Sequence, residues 1–461
     1  MNLKPERVFH YFREISDIPR GSYNEKNVSD YIYNFGKKLG LVTIQDELLN
    51  VYIRKPASKG FENKPGIILQ GHMDMVCEKS TTSKHNFETD KIEWVIKDDL
   101  LFANETTLGA DDGIAVAMAM AIFEDETIVH PELEMIITVA EEVEMDGALG
   151  LSKDLLKGKY LFNIDSEEEG ILTLGSAGGI LFKTQIETEY SEEKELIKLH
   201  FDGYFGGHSG MEIDKNRRNM IKTITEFIRE SGLSLASFNS GSKDNAIPRT
   251  GEIVIENSPL IDDLIRKFTE KYNGNEQLTI EKCEIFKGKV LKDNVKNTLL
   301  CVLEKLPTGV RAKDETGVLS SSNLAIVESV ENCILIRNSI RSSVLSTLLE
   351  MKTEFAKISD DLSLKYEFSG EYPSWEKKEN STLQKIANKV YREITNKDFE
   401  NIVVHAGLEC GAIYEKYPNL ELISFGPDIR GAHTPKENIS ISSTQRVYDF
   451  TIKLIEEIAK N

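Results

Sequence analysis

The sequence predicts an α/β protein in which a mainly parallel, doubly wound sheet is interrupted by an α+β insertion and completed by the C-terminal stretch. Three observations carry this. Short apolar runs alternate with helical patterns as far as about residue 180, as strands and crossover helices do in a parallel sheet. From there the texture changes to strands of alternating polarity with amphipathic helices between them. After Tyr372-Pro373-Ser374-Trp375 the first texture returns. The expected domains are 1–180 with 382–461, and 181–381.

Taken in order, residues 8–18 and 27–39 carry apolar positions at three- and four-residue spacing and read as helices, separated by Pro19-Arg20-Gly21-Ser22. Residues 42–44 and 51–53 read as strands. The apolar run at 67–69 is a short buried strand that ends in Gly71-His72-Met73-Asp74, and open α/β sheets bind ligands beyond the carboxyl ends of their strands. An imidazole there can bind a metal while an aspartate two residues on holds the ring's other nitrogen or faces the site. The polar segment that follows, with His85, reads as a surface loop.

Leu108-Gly109-Ala110-Asp111-Asp112-Gly113 precedes residues 114–123, which are apolar all round and suit a helix buried on most faces. Of the acidic pair, Asp112 reads as a cap for free backbone N–H groups, whereas Asp111 has a better use beside a dication. The strand at 133–140 ends in Glu141-Glu142. Adjacent like charges at a buried strand end repel, and a metal resolves the conflict. The strand at 160–164 ends in Asp165, and Glu167-Glu168-Glu169 reads as a solvated run.

In the insertion, strands are expected at 196–201, 278–286, 333–336 and 364–368, and helices at 220–228, 264–272, 295–306 and 344–358. The C-terminal stretch offers a helix at 383–394, Val403-Val404-His405, a helix-like 408–417, and an apolar strand at 420–425 that leads to Gly431-Ala432-His433-Thr434-Pro435.

With 461 residues, two domains are expected, and 40% apolar content is ample for them. A net charge of −20 argues against nucleic acid or an anionic membrane as partner. The amphipathic start and the lack of any apolar stretch approaching eighteen residues lead us to expect a cytoplasmic protein. Five scattered cysteines (Cys77, Cys283, Cys301, Cys333, Cys410) without Cys-x-x-Cys spacing indicate neither a disulfide framework nor a thiolate zinc site, and are expected as buried free thiols.

His72, Asp111, Glu142, Asp165 and His433 together give two imidazoles and three carboxylates, each beside a strand or helix end. Mixed nitrogen and oxygen ligation without thiolate suits zinc, manganese or cobalt, and one bridging carboxylate explains a set of five.

These segments, with Thr138-Val139-Ala140-Glu141-Glu142, Asn163-Ile164-Asp165-Ser166-Glu167, Gly206-Gly207-His208-Ser209-Gly210 and His405-Ala406-Gly407-Leu408-Glu409-Cys410-Gly411, resemble the co-catalytic zinc exopeptidases and deacylases. The branch they resemble most is the one that cleaves aminoacyl-histidine dipeptides. The resemblance spans nearly the whole chain. It implies a zinc exopeptidase-like catalytic domain whose Asp111 bridges two divalent ions, zinc foremost and manganese or cobalt as alternatives, with His72 and Asp165 on one and Glu142 and His433 on the other. Asp74 would hold the His72 ring and Glu141 would be the general base. His208, Asn245, Arg341 and Glu409 would contact a small peptide, with Arg337 as an alternative to Arg341. His10, His130, His200 and His405 are treated as structural, His405 with the option of backing the site.

The inserted domain would be a lid of two ferredoxin-like units, acting either as a pseudo-partner within one chain or through a homodimer. Three functions compete: hydrolysis of dipeptides of the Xaa-His or carnosine type, deacylation of N-acyl amino acids on the same site, and metal binding without catalysis. Retention of Glu141 beside all five ligands speaks against the last.

Overall fold

The computed structural model describes residues 3–272 and 274–460. The chain separates into two compact units. The first takes the chain up to Gly175, then Lys377–Ile402, and everything from Leu408 on; the second takes Ser176–Glu376 and Val403–Gly407. The short segment Val403–Gly407, expected with the first domain, thus groups with the second. The reason is bonding: Val403 N donates to Thr316 O, Ala177 N donates to Val404 O, and His405 Nε2 lies 2.6 Å from Ser321 Oγ.

The first unit is built on a sheet in the order Val42–Gln45, Val51–Lys55, Leu133–Thr138, Ile67–His72, Tyr160–Asn163, Glu421–Ser424, Ile171–Ser176, Glu400–Val404. Its centre is parallel, Ile67–His72 lying between Leu133–Thr138 and Tyr160–Asn163 with Glu421–Ser424 beyond, and Val42–Gln45 and Val51–Lys55 are added antiparallel. Every residue of Ile67–His72, Leu133–Thr138 and Tyr160–Asn163 is buried, which is why these runs are apolar without alternation. Helix Ala110–Glu124, apolar on all sides, packs between Ile67–His72 and helix Glu6–Ser16. Register sets the site: His72 lies opposite Thr138 and Gln70 opposite Asn163, so the three central strands release His72, Glu141-Glu142 and Asp165 at one edge.

A small antiparallel sheet, Ile429–Arg430, Asn438–Ser440, Leu100–Ala103 and Trp94–Lys97, lies in a region expected mostly as loop. Its pairing of Ile429 with Ile439 and Arg430 with Asn438 closes the loop that carries His433.

The second unit has a continuous sheet in the order Thr279–Leu291, Tyr190–Asp202, Gly251–Glu256, Leu235–Ser240, Gly317–Ser329, Cys333–Ser342, Gly178–Glu187, Lys365–Tyr372, with Gly309–Asp314 added beside Gly317–Ser329. The first four strands with helices Met220–Ser231 and Ile261–Glu270 make one βαββαβ unit; the next four with helices Asp293–Lys305 and Leu345–Asp361 make a second. Both have the ferredoxin-like order, and they join edge to edge where Ser240 pairs with Val327. The first βαββαβ unit is inserted in the second, after its opening strand Gly178–Glu187.

All five cysteines are free, but only Cys410 is buried. The expectation of buried thiols fails for Cys283 because its strand, Thr279–Leu291, is an edge strand exposed along most of its length. Cys77 is exposed too, in the loop after Asp74. Among the described residues, no helix is long and apolar enough to cross a membrane.

Candidate metal centre

The first unit gathers two imidazoles and a set of carboxylates at the carboxyl edge of its parallel strands. His72 Nε2 lies 3.3 Å from Asp111 Oδ1, 3.5 Å from Asp165 Oδ1 and 4.0 Å from Glu141 Oε2. His433 Nε2 lies 3.1 Å from Asp111 Oδ2 and 2.9 Å from Glu142 Oε2. Asp111 therefore turns one oxygen to each imidazole, the geometry a bridging carboxylate needs. Three donor groups, each with its ligand atoms within 4.8 Å of one another, fall here: Asp111, Glu142 and His433; His72, Asp112 and Asp165; and His72, Glu141 and Glu142.

Local structure explains the presentation. Ala140 (φ 54) turns the chain sharply after its strand and aims Glu141 and Glu142 out of the sheet edge, its N–H bonded to Glu25 Oε1. His433 also takes a left-handed conformation (φ 62) in its loop. Asp74, fully buried, faces His72 Nδ1 at 3.3 Å, and its two oxygens accept from Glu141 N, Glu142 N and Ser22 Oγ. One carboxylate thus sets the imidazole ring and both glutamates. Asp112 does not cap the helix: its Oδ2 accepts from His72 N, and the Cβ of any larger residue at Gly71 would sit 2.5 Å from that oxygen.

Electrostatics follow from burial and crowding. Burial would lower the His72 pKa, but Asp111, Asp165 and Asp74 reverse this and raise it well above its usual value. Asp111 and Glu142 hold His433 up at about 11. Burial, together with the surrounding carboxylates, lifts Asp165 to about 6 and Glu141 well above the ordinary carboxylate range.

The donor set fits divalent cations. Both imidazoles face carboxylates through Nε2, Glu142 Oε1 is buried with no hydrogen-bond partner, and the crowded negative charge calls for cations that two imidazoles alone do not supply.

A model of peptidase family M20/M25/M40 matches residues 68–457, a span that includes every one of these candidate ligands. The chain belongs to this family. It is 34% identical to the cytosol non-specific dipeptidase of Escherichia coli, over 99% of this chain and 98% of that one. The solved aminoacylhistidine dipeptidase of Vibrio alginolyticus superposes with a TM-score of 0.91 at 32% identity, covering 99% of this chain and 97% of the other. Aminopeptidase PepT of Bacillus cereus, at 16% identity, shares the fold with a TM-score of 0.60 over 99% of both chains. The resemblance read from the motifs holds, and as an M20 peptidase the chain is a hydrolase.

Within this M20 chain the sequence-derived ligands converge, but Glu409 is placed differently from a substrate contact. It is wholly buried, its Oε2 accepting from Gln70 Nε2 and Thr138 Oγ1, both at 2.6 Å, while Asn163 Nδ2 donates to Gln70 Oε1. Burial raises its pKa to about 7. It ties the three central strands together, its carboxylate held by strand side chains and closed off from solvent.

His208, Asn245 and Arg341 belong to the second unit. A two-residue ladder pairs Gly207 with Ile247 and His208 with Ala246, and Ser209 N donates to Asn245 O, which brings the two segments together. His208 Nδ1 accepts from Gly210 N and Met211 N, so the neutral ring carries its proton on Nε2; burial and then Arg341 lower its pKa. Arg341, mostly buried, donates to Tyr372 OH and keeps Nε without a partner, whereas Arg337 lies near Asp244 and Glu328.

Two residues escaped the sequence reading. Glu437 accepts from the N–H groups of Leu108, Gly109, Ala110 and Asp111 at 2.7–3.3 Å. Arg20, also buried, donates to Met73 O and Asp74 O at 2.8 and 3.0 Å and to Gly109 O at 2.5 Å. The available signals were a charged residue inside the short turn at 19–22 and a glutamate four positions after His433.

Proposed function

We propose that this M20 enzyme is a cytoplasmic dipeptidase acting on dipeptides with free termini, Xaa-His and carnosine-like ones among them, with two divalent ions, zinc foremost. Asp111 would bridge them, with His72 and Asp165 on one side and Glu142 and His433 on the other. Such ions lower the pKa of water, polarise the scissile carbonyl and offset the oxyanion charge.

The observation that carries the reading is the division of Asp111: each oxygen faces a different imidazole, and Glu141 stands beside the cluster as an additional carboxylate. Glu141 takes the proton of the attacking water on a carboxylate oxygen and passes it to the leaving amine. Asp74 keeps the His72 ring and the Glu141 backbone in place. His208, with its proton on Nε2, would donate to the developing oxyanion, while Arg341, whose Nε has no partner, would take the substrate's terminal carboxylate with Asn245 as a further contact. In this role the second unit would be a lid, acting either as a pseudo-partner within one chain or through a homodimer.

The dipeptidase name of the E. coli relative and the aminoacylhistidine dipeptidase title of the Vibrio structure support the substrate class, and the former's cytosolic name supports the compartment. A panel of dipeptides, carnosine, longer peptides and N-acetylated amino acids, run with zinc, manganese or cobalt, tests it. Dipeptide turnover that exceeds all other classes is expected. Preferential deacylation would replace this reading with that of an acylase, and no turnover of any substrate would leave a metal-binding scaffold.

A further inference from the structure

We infer that Glu437 and Arg20 are positioning residues that lock three ligand-bearing segments from distant parts of the chain into one metal-ready frame. The inference rests on the two-ion reading above. The three segments are His72–Asp74, the loop Leu108–Asp111 and the loop of His433.

Glu437 lies four residues after His433 and inserts its carboxylate under the Asp111 loop. Oε2 accepts from Leu108 N and Gly109 N at 2.7 and 2.9 Å, and Oε1 from Ala110 N and Asp111 N at 2.7 and 3.3 Å. Four N–H groups gathered on one side chain make an anion cradle, and they fix the backbone from which Asp111 projects. Because Glu437 and His433 share a loop, the same bonds tie His433 to Asp111.

Arg20 joins the third segment. Its Nη1 donates to Met73 O and Asp74 O, directly after His72, and its Nη2 donates to Gly109 O, inside the loop that Glu437 clamps. Among nearby charges Glu437 favours the buried guanidinium most, followed by Asp74. The glycines of Leu108-Gly109-Ala110-Asp111-Asp112-Gly113 make room for it: a Cβ at Gly109, which is left-handed (φ 68), would meet Arg20 Nη2 at 2.4 Å, and one at Gly113 would meet it at 2.6 Å. Neither Arg20 nor Glu437 is among the ligands, and both are about 98% buried, so their charges are held for structure inside the molecule.

The test is Glu437→Gln, titrated in metal-free form with zinc alone and with manganese alone by calorimetry, alongside melting of the metal-free protein. A carboxamide offers one accepting oxygen and a donating NH2 to four donors, so the frame loosens. Metal affinity should fall about ten- to a hundredfold, the size seen when a group orienting a ligand is removed, and saturating metal should restore most of kcat. Wild-type affinity in E437Q overturns the inference whatever happens to its melting temperature, because a purely stabilising residue shifts melting and not the dissociation constant of the folded protein. If E437Q does not fold, Gly113→Ala displaces the Arg20 guanidinium instead, with the same loss of affinity expected and wild-type affinity again overturning it. Wild-type protein that takes up no metal would sink the two-ion reading and this inference with it, whereas wild type and variant binding equally would sink only this inference.

Discussion

Changing Glu141 and Glu142 to glutamine, one at a time, should separate proton transfer from metal binding at adjacent residues. Glu142 Oε2 lies 2.9 Å from His433 Nε2 and takes part in two of the three donor groups, whereas the contact of Glu141 with His72 Nε2 is at 4.0 Å. Neutralising Glu141 should therefore leave the His433 and Asp111 contacts intact and remove only the proton acceptor. A positioned general base is worth about 10²–10⁴ in rate, or about 3–5 kcal/mol of barrier. The expected result for Glu141→Gln is a kcat on a dipeptide lowered by about 10³ with metal content near that of the wild type. Glu142→Gln should lose metal, and excess zinc should recover part of its activity. The assay is steady-state hydrolysis of a histidine dipeptide together with metal analysis of the same preparations. Equal metal loss in both variants, with activity falling only in proportion, would refute the division of roles.

Other outcomes follow from the same geometry. Chelation should abolish activity and re-addition of zinc, manganese or cobalt should restore it at two ions per chain; fully active protein with one ion or none contradicts the bridging role of Asp111. His208→Ala should lower turnover by about a hundredfold or more, the scale of one lost oxyanion donor, with metal retained, and a wild-type rate would remove the second unit from the chemistry. Burial raises Glu134 from its usual 4.5 to about 6, so the folded state holds a proton that the unfolded chain has released. Stability should accordingly fall by about 2 kcal/mol as pH rises from about 4.5 to above 6. Glu134→Gln, which can still accept from Lys157 N, should flatten that slope in denaturant titrations, and an unchanged slope would show that other groups cause it.

The candidate ligands were legible because each lies beside the end of a strand or helix, and the strand runs were legible because both faces of the parallel strands are covered. His72 ends one such strand, and Glu142 and Asp165 lie a few residues beyond the ends of two others. A strand with a wet face left less trace: Trp94–Lys97 is half or fully exposed along its length and carries no clean period. Arg20 and Glu437 were illegible for another reason. Their partners are backbone carbonyl and N–H groups, which every residue possesses and no sequence marks. The depth of Glu409 is likewise set by Gln70, Thr138 and Asn163, three residues far from it along the chain, and its motif alone suggested an outward-facing role. The segment Val403–Gly407 changed unit because a few hydrogen bonds outweighed its neighbourhood in sequence.

The nesting of one βαββαβ unit inside the other has a consequence for synthesis. Gly178–Glu187 pairs with Cys333–Ser342 and Lys365–Tyr372, so its first partner leaves the ribosome roughly 150 residues after it does. At about 5–20 residues per second that is a wait of roughly eight to thirty seconds. The nested unit, from Tyr190 to Leu291, has all four of its strands within that interval and can close first, leaving an apolar strand such as Ile180–Ile186 to be shielded by other means. Proteolysis of chains arrested on the ribosome near residue 325 should find the nested unit protected and its predecessor strand cut. Protection of both would mean that Gly178–Glu187 finds a temporary partner among residues already made.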